Sequence, residues 1–136
     1  MNHLDILIVD DDPADIAILT EFLEEGPFTS TISEAHDGHA GLDALANGPR
    51  PDLVILDLNM PRMGGQEMLK RLRADPDLGD LPVLVLTTSD RDEDIEATFT
   101  DRANAFVTKP DDVDGFEAFL QLVDDFAKAY IWAKVE

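Results

Sequence analysis

Three short runs, residues 4–9, 53–56 and 83–86, are apolar almost without a break. A strand with one wet face alternates polar and apolar side chains; an unbroken run has both faces buried, as in a parallel sheet covered by helices on each side. Residues 29–35 (TSTISEA) do alternate and predict an edge strand, and residues 105–107 are a short fifth candidate. Helical patterns fill the gaps. Over 13–25, Ile16, Leu19, Phe22 and Leu23 share a stripe, Pro13 sits in the first turn, and Gly26-Pro27 stops the helix. Further helices are predicted at 38–46, 65–74, 90–102 and 113–133, with Ser89 as a cap and Asp92 and Glu93 in the first turn of the fourth. Turn formers occupy Asn47-Gly48-Pro49 and the stretch from Asp75 to Pro82. Five strand-then-helix units imply an α/β, doubly wound five-stranded parallel sheet with helices on both faces. Ligands of such sheets sit at the carboxyl ends of the strands, where strand order reverses.

Composition narrows the field. The 136 residues suit one domain, and 44% hydrophobic content suffices for a core. No apolar run approaches the roughly 20 residues of a membrane span. Acids interrupt the first residues, MNHLDILIVDDD, at once, unlike a signal peptide. There are no cysteines, which excludes disulfides, zinc thiolates and thiol catalysis. The expected location is the cytoplasm. Thirty acids against ten Lys and Arg give a formal charge of −20, a field that repels nucleic acid and anionic membrane. Only four lysines occur, Lys70, Lys109, Lys128 and Lys134. Such a surface suits a high-salt cytoplasm, and ordinary acidic proteins share it.

The strand ends carry the chemistry. The first ends in Asp10-Asp11-Asp12. Asp12, followed by Pro13 and Asp15, reads as a helix N-cap, but Asp10 and Asp11 stack repulsion with no basic neighbour, and hard divalent cations want such oxygens. The third strand ends in Asp57, the fourth in Thr87-Thr88-Ser89, and the fifth in Thr108-Lys109-Pro110. Each alone is an ordinary cap or solvated charge. At one rim together, an acid cluster, a hydroxyl and a lysine are what a site needs to bind Mg²⁺ and hold an anionic phosphoryl group.

The ordered set ILIVDDDP, RPDLVILDLNMPRMGG, LPVLVLTTS and ANAFVTKP resembles the response-regulator receiver family, over nearly the whole chain. The single motifs are weak and the ordered set is specific. The resemblance implies a flavodoxin-like sheet of strand order 2-1-3-4-5. It makes Asp57 the phospho-acceptor and Asp10 and Asp11 the acid pair that organises Mg²⁺. Asp11 would bind the metal directly, with Asp57 and the backbone carbonyl of Asn59. Lys109 would contact the phosphoryl oxygens, Thr87 would be the switch hydroxyl beside Thr88, and Phe106 the switch aromatic. A cis Lys109–Pro110 bond is also implied. Two positions depart from the pattern. Gly64 stands where relatives often have a polar residue, and Phe106 lacks the hydroxyl of a Tyr. The scattered His3, His36 and His39 read as solvated, and Met60, Met63 and Met68 as packing under a loop.

The resemblance implies a phospho-accepting signalling protein rather than an enzyme, with a sensor histidine kinase as partner. LDLNMPRMGG, VLTTSD and the aromatic-rich C-terminus look most like the small regulators paired with bacterial phytochromes; a chemotaxis-type regulator is the alternative. From another class, Asp10 and Asp12 have the spacing of a haloacid-type Mg²⁺-dependent phosphatase, but Pro13 and DLNMP do not fit that pattern. The receiver domain is expected over 1–129, with 130–136 as a short tail. Phe126, Tyr130 and Trp132 lie where a fifth helix runs out of sheet to cover, which predicts a homodimer through that helix and tail. The other reading is that the tail folds back on its own subunit.

Overall fold

In the computed structural model, residues 2–60, 63–88 and 91–133 are described. Five parallel strands, β1 (His3–Val9), β2 (Thr29–Ala35), β3 (Leu53–Leu56), β4 (Val83–Thr87) and β5 (Ala105–Thr108), lie in the order β2-β1-β3-β4-β5. This is the predicted order. Strand residues are shared between two cores. Leu4, Ile6, Ile8, Leu53, Ile55, Leu84 and Leu86 face one way, and Leu7, Val9, Val54, Leu56, Val83 and Val85 the other. Both sets are buried, which is why these runs show no alternation.

The first face is covered by α1 (Pro13–Glu24) and α5 (Val113–Phe126) through Ile16, Leu19, Leu23, Phe119, Leu120 and Val123. Phe22 and Phe116 stack between these helices with ring centroids 4.6 Å apart. The second face packs on α2 (Gly38–Asn47) and α3 (Gly65–Ala74) through Leu45, Met68, Leu69 and Leu72. Met63 and Met68 are buried there, as their position in the sequence suggests, while His3, His36 and His39 are exposed. The fourth helix, α4 (Asp92–Thr100), is shorter than the expected 90–102; Ser89 and Asp90, including the expected cap, lie outside the described residues.

Aspartates start three of the helices. Asp12 accepts from the Ala14 N–H at 2.9 Å, Asp37 from Ala40 at 2.8 Å, and Asp112 from Gly115 at 2.7 Å. Each satisfies a donor that a helix N-terminus leaves open. The C-terminal helix differs from its expected 113–133 span. It ends at Phe126 and widens into one π-helical turn, Ala127–Ile131, closed by the Trp132 N–H donating to the Ala127 carbonyl at 2.7 Å. The turn brings Trp132 back onto its own chain. Its indole N–H donates to the His3 carbonyl at 3.0 Å, and its ring lies 6.1 Å from that of Phe28. Trp132 therefore does not stand free, whereas Tyr130 is 75% exposed and rests on Phe126.

Gly65 is a tight point of the fold. A Cβ there would lie 2.2 Å from the Asp57 carbonyl oxygen and 2.8 Å from the Leu58 Cα, both backbone atoms that cannot rotate away. Gly65→Ala is expected to cost about 1–3 kcal/mol, as overpacking does. Thermal unfolding followed by circular dichroism should show a midpoint several degrees lower; an unchanged midpoint would show that α3 can move away freely.

Candidate phosphoryl-acceptor and metal site

The ladder continues one residue past the strands, and this aligns the site. The Asp57 N–H donates to the Val9 carbonyl at 2.9 Å, and the Lys109 N–H to the Thr87 carbonyl at 2.9 Å. Asp57 is thus fixed beside Asp10, and Lys109 beside Thr87. The Lys109–Pro110 bond is trans, against the expected cis, since no peptide bond among the described residues is cis. Trans is the isomer an X–Pro amide itself favours, and the Lys109 backbone and side chain both reach the site from it.

Asp10, Asp57 and Thr87 are buried, and Asp11 is exposed at the rim. Carboxylate oxygens of Asp10, Asp11 and Asp57 all lie within 4.8 Å of one another. The Lys109 ammonium holds this cluster together, with Nζ 2.8 Å from Asp10 Oδ2, 2.8 Å from Asp15 Oδ2 and 3.3 Å from Asp57 Oδ2. The Asp12 N–H donates to Asp10 Oδ1 at 3.0 Å, and the Asn59 N–H to Asp57 Oδ1 at 3.3 Å. The Asn59 amide also donates to Thr87 Oγ1 at 3.3 Å. Phe106 is half-buried against the core on the α2–α3 side, and Thr88 is exposed.

Burial raises the Asp10 pKa, and the Lys109 ammonium and the Asp12 N–H only partly offset it. For Lys109, burial acts to lower the pKa, but its hydrogen bonds to Asp10 and Asp15 and the field of Asp57 prevail and raise it. The lysine is therefore a fixed cation.

Against Asp10, Asp11, Asp15 and Asp57, one ammonium leaves the rim strongly negative. Two oxygens on opposite sides of a Mg²⁺ ion, each about 2.1 Å away, are about 4.2 Å apart. Oxygens within 4.8 Å need only small side-chain rotations to reach that arrangement. The donors are all hard oxygens, so the site fits a divalent cation.

All of the predicted side chains except Phe106 converge on this rim. Two contacts at the rim have no signal in the sequence: the Asp15 carboxylate, which there reads only as a companion of the Asp12 cap, pairs with Lys109, and the Asn59 side chain, not only its backbone carbonyl, reaches Thr87.

The chain is similar to proteins of one family in both sequence and fold. The family model of the response regulator receiver domain matches residues 6–121. The response regulator Rcp1 of Synechocystis sp. is 33% identical over 127 residues, covering 89% of this chain and 86% of Rcp1. The chemotaxis protein CheY-3 of Vibrio cholerae is 38% identical over 108 residues, covering 79% of this chain and 82% of CheY-3. The crystal structure of the phosphorylated cyanobacterial phytochrome response regulator RcpA superposes with a TM-score of 0.81 at 30% identity, covering 98% of this chain and 97% of RcpA. The Mn²⁺-bound form of Rcp1 superposes with a TM-score of 0.79 at 30% identity, covering 97% of each chain. The chain belongs to the response regulator receiver domain family.

A divalent cation should stabilise the native state by mass action, about 2.7 kcal/mol at a hundred times its dissociation constant. Thermal melts with and without Mg²⁺ or Mn²⁺ are expected to show that upward shift in wild type and its loss in Asp11→Ala. Asp11 is exposed, so the variant should fold. Equal shifts in both proteins would remove Asp11 from the ligand set.

Proposed function

We propose that Asp57 accepts a phosphoryl group from a sensor histidine kinase and that the acyl phosphate switches partner binding. The observation that carries this reading is the buried Asp57 carboxylate, flanked by the Asp10–Asp11 pair and by the Lys109 ammonium. A carboxylate oxygen of Asp57 attacks phosphorus, the P–N bond to the donor histidine breaks, and the imidazole leaves with the bonding pair. Such transfer asks mainly for positioning and charge neutralisation. Asp10, Asp11, Asp57 and the Asn59 carbonyl are the residues proposed to hold Mg²⁺, which when bound supplies countercharge to the phosphoryl oxygens. Lys109, 3.3 Å from Asp57, supplies the other positive charge. Thr87 is the hydroxyl proposed to turn toward the new oxygens, leaving the Asn59 amide, and Phe106 then turns into the space beside it.

The likeness to RcpA, a cyanobacterial phytochrome response regulator, supports a phytochrome-type kinase upstream, and Rcp1 is a similar response regulator. Their matches extend over more of the chain than that of CheY-3, which favours this reading over a chemotaxis one. A charge of −20 argues against nucleic acid as the output partner, and the cytoplasm is the proposed site of action. Residues 1–129 are taken as the receiver, and 130–136 as a C-terminal segment involved in pairing two copies. Support for a homodimer now rests on the exposed Tyr130 and its neighbour Phe126, since Trp132 is engaged within its own chain.

Incubation with acetyl phosphate and Mg²⁺, followed by intact-mass analysis, tests the acceptor. Wild type should gain one phosphoryl group and lose it slowly, whereas Asp57→Asn should fold and gain none, because an amide is no nucleophile. Full, persistent labelling of the variant would overturn the assignment.

Light scattering tests the pairing. A dimer is expected at tens of micromolar, weakened by Tyr130→Ala. A monomeric wild type, with and without phosphodonor, would overturn it.

A further inference from the structure

The Lys109 ammonium is paired with three carboxylates, those of Asp10, Asp15 and Asp57, each within 3.3 Å of Nζ. Two of these belong to the acceptor and metal cluster. The third, Asp15, comes from the first turn of α1 and lies outside the cluster of mutually close oxygens. Its Oδ2 is as near to Nζ as that of Asp10 and nearer than that of Asp57. The side chains differ in their freedom, with Asp10 9% and Asp57 6% exposed but Asp15 42% exposed. Asp15 is therefore the arm that can let go without emptying the site.

We propose that Asp15 is a positioning residue that holds Lys109 in the resting site and competes with the phosphoryl group for its ammonium. This rests on the reading of Asp57 as acceptor. In the resting protein, the Asp15 tether keeps the lysine ordered among carboxylates that would otherwise share it unequally. An incoming phosphoryl group brings oxygens that need the same donors, so the contact to Asp15 must loosen as charge develops on them. The tether therefore slows capture of the phosphoryl group, and removing it speeds that step. Because the pair is partly exposed, its effect is modest. It corresponds to about a three- to fivefold change in rate, the upper range for ion pairs of this kind.

The test compares wild type with Asp15→Asn, Asp15→Glu and Asp111→Asn. Asp111 lines the same cleft and is exposed, and among the described residues it makes no hydrogen bond or ion pair to Lys109; its substitution removes an equal charge from the same rim. Two readouts are taken: the initial rate of labelling by acetyl phosphate with Mg²⁺, and the ¹H–¹⁵N signal of the Lys109 ammonium in metal-free protein, assigned by its loss in Lys109→Arg. Asp15→Asn is expected to label about three- to fivefold faster and to lose the ammonium signal to solvent exchange. Asp15→Glu should restore the signal and bring the rate back toward wild type, and Asp111→Asn should differ from wild type by less than about twofold, as expected for a screened rim charge. An ammonium signal that persists in Asp15→Asn overturns the tether. So does an Asp15→Asn rate equal to that of wild type or of Asp111→Asn, since the effect would then be absent or one of net charge. If wild type takes no label while the signal behaves as expected, the acceptor reading fails and Asp15 still stands as the tether of Lys109.

Discussion

Like charges crowd one rim of this molecule, and a single ammonium makes that crowding tolerable. Asp10 and Asp57 are buried within reach of each other and of Asp11. Buried carboxylates left unpaired would take up protons or force the strand ends apart. Lys109 counters the crowding, because its ammonium lies 2.8 Å from Asp10, 2.8 Å from Asp15 and 3.3 Å from Asp57. Its own position depends on the sheet, because the Lys109 N–H extends the β4–β5 ladder by bonding to Thr87. The remaining negative charge is not an oversight of packing. It is the part that a divalent ion and a phosphoryl group can draw on, and a fully neutralised rim would have no affinity for the cation.

Elsewhere the acids have quieter work. Asp12, Asp37 and Asp112 start helices by accepting backbone N–H groups, and Asp92, Glu93 and Asp94 lie at the positive end of α4. A carboxylate at a helix start gains from the local dipole whether or not any partner is present. The excess of acid is thus divided between structural caps, a solvated surface and one functional cluster. Among the described residues, only Asp10, Asp11 and Asp57 bring three carboxylates within 4.8 Å of one another.

This division explains what could be read in the amino-acid sequence. The parallel sheet and the convergence of Asp10, Asp11, Asp57, Thr87 and Lys109 at its rim were legible because β1, β3 and β4 are nearly continuous apolar runs and the strands end abruptly in the residues that matter, while the strand order came from the family resemblance. Contacts that need a helix to rotate or a chain end to fold back were not. Asp15 looked like part of an N-cap, since its distance to Lys109, 94 positions away, depends on how α1 sits over the sheet. The aromatic spacing alone leaves Trp132 open between an exposed patch and a tail folded back on its own subunit, and the structure shows the second. The π-helical turn that brings it onto Phe28 and His3 has no signature in the spacing of apolar residues, which a regular helix would satisfy equally well. The expected cis Lys109–Pro110 bond came from family resemblance alone, and neither isomer leaves a mark on local composition.

Close packing also ties the acceptor loop to a distant helix. Gly65 lies so near the Asp57 carbonyl that there is no room between them for a methyl group. The next residue, Gln66, uses its amide to donate to the Asp94 carbonyl at 3.1 Å and to the Thr98 hydroxyl at 3.1 Å. Thr98 is fully buried and in turn donates to the Asp94 carbonyl at 2.7 Å. The start of α3 is therefore clamped between the backbone of Asp57 and a buried polar contact on α4. Packed interiors transmit displacement because they have little free volume to absorb it. A shift of the Asp57 backbone must either move α4 through Gln66 or break a buried amide's hydrogen bonds, and the second costs on the order of 1–3 kcal/mol. The Gln66 contact links the start of α3 to α4. It is separate from the Asn59–Thr87 contact, so the site has two mechanical connections to the face beyond β4.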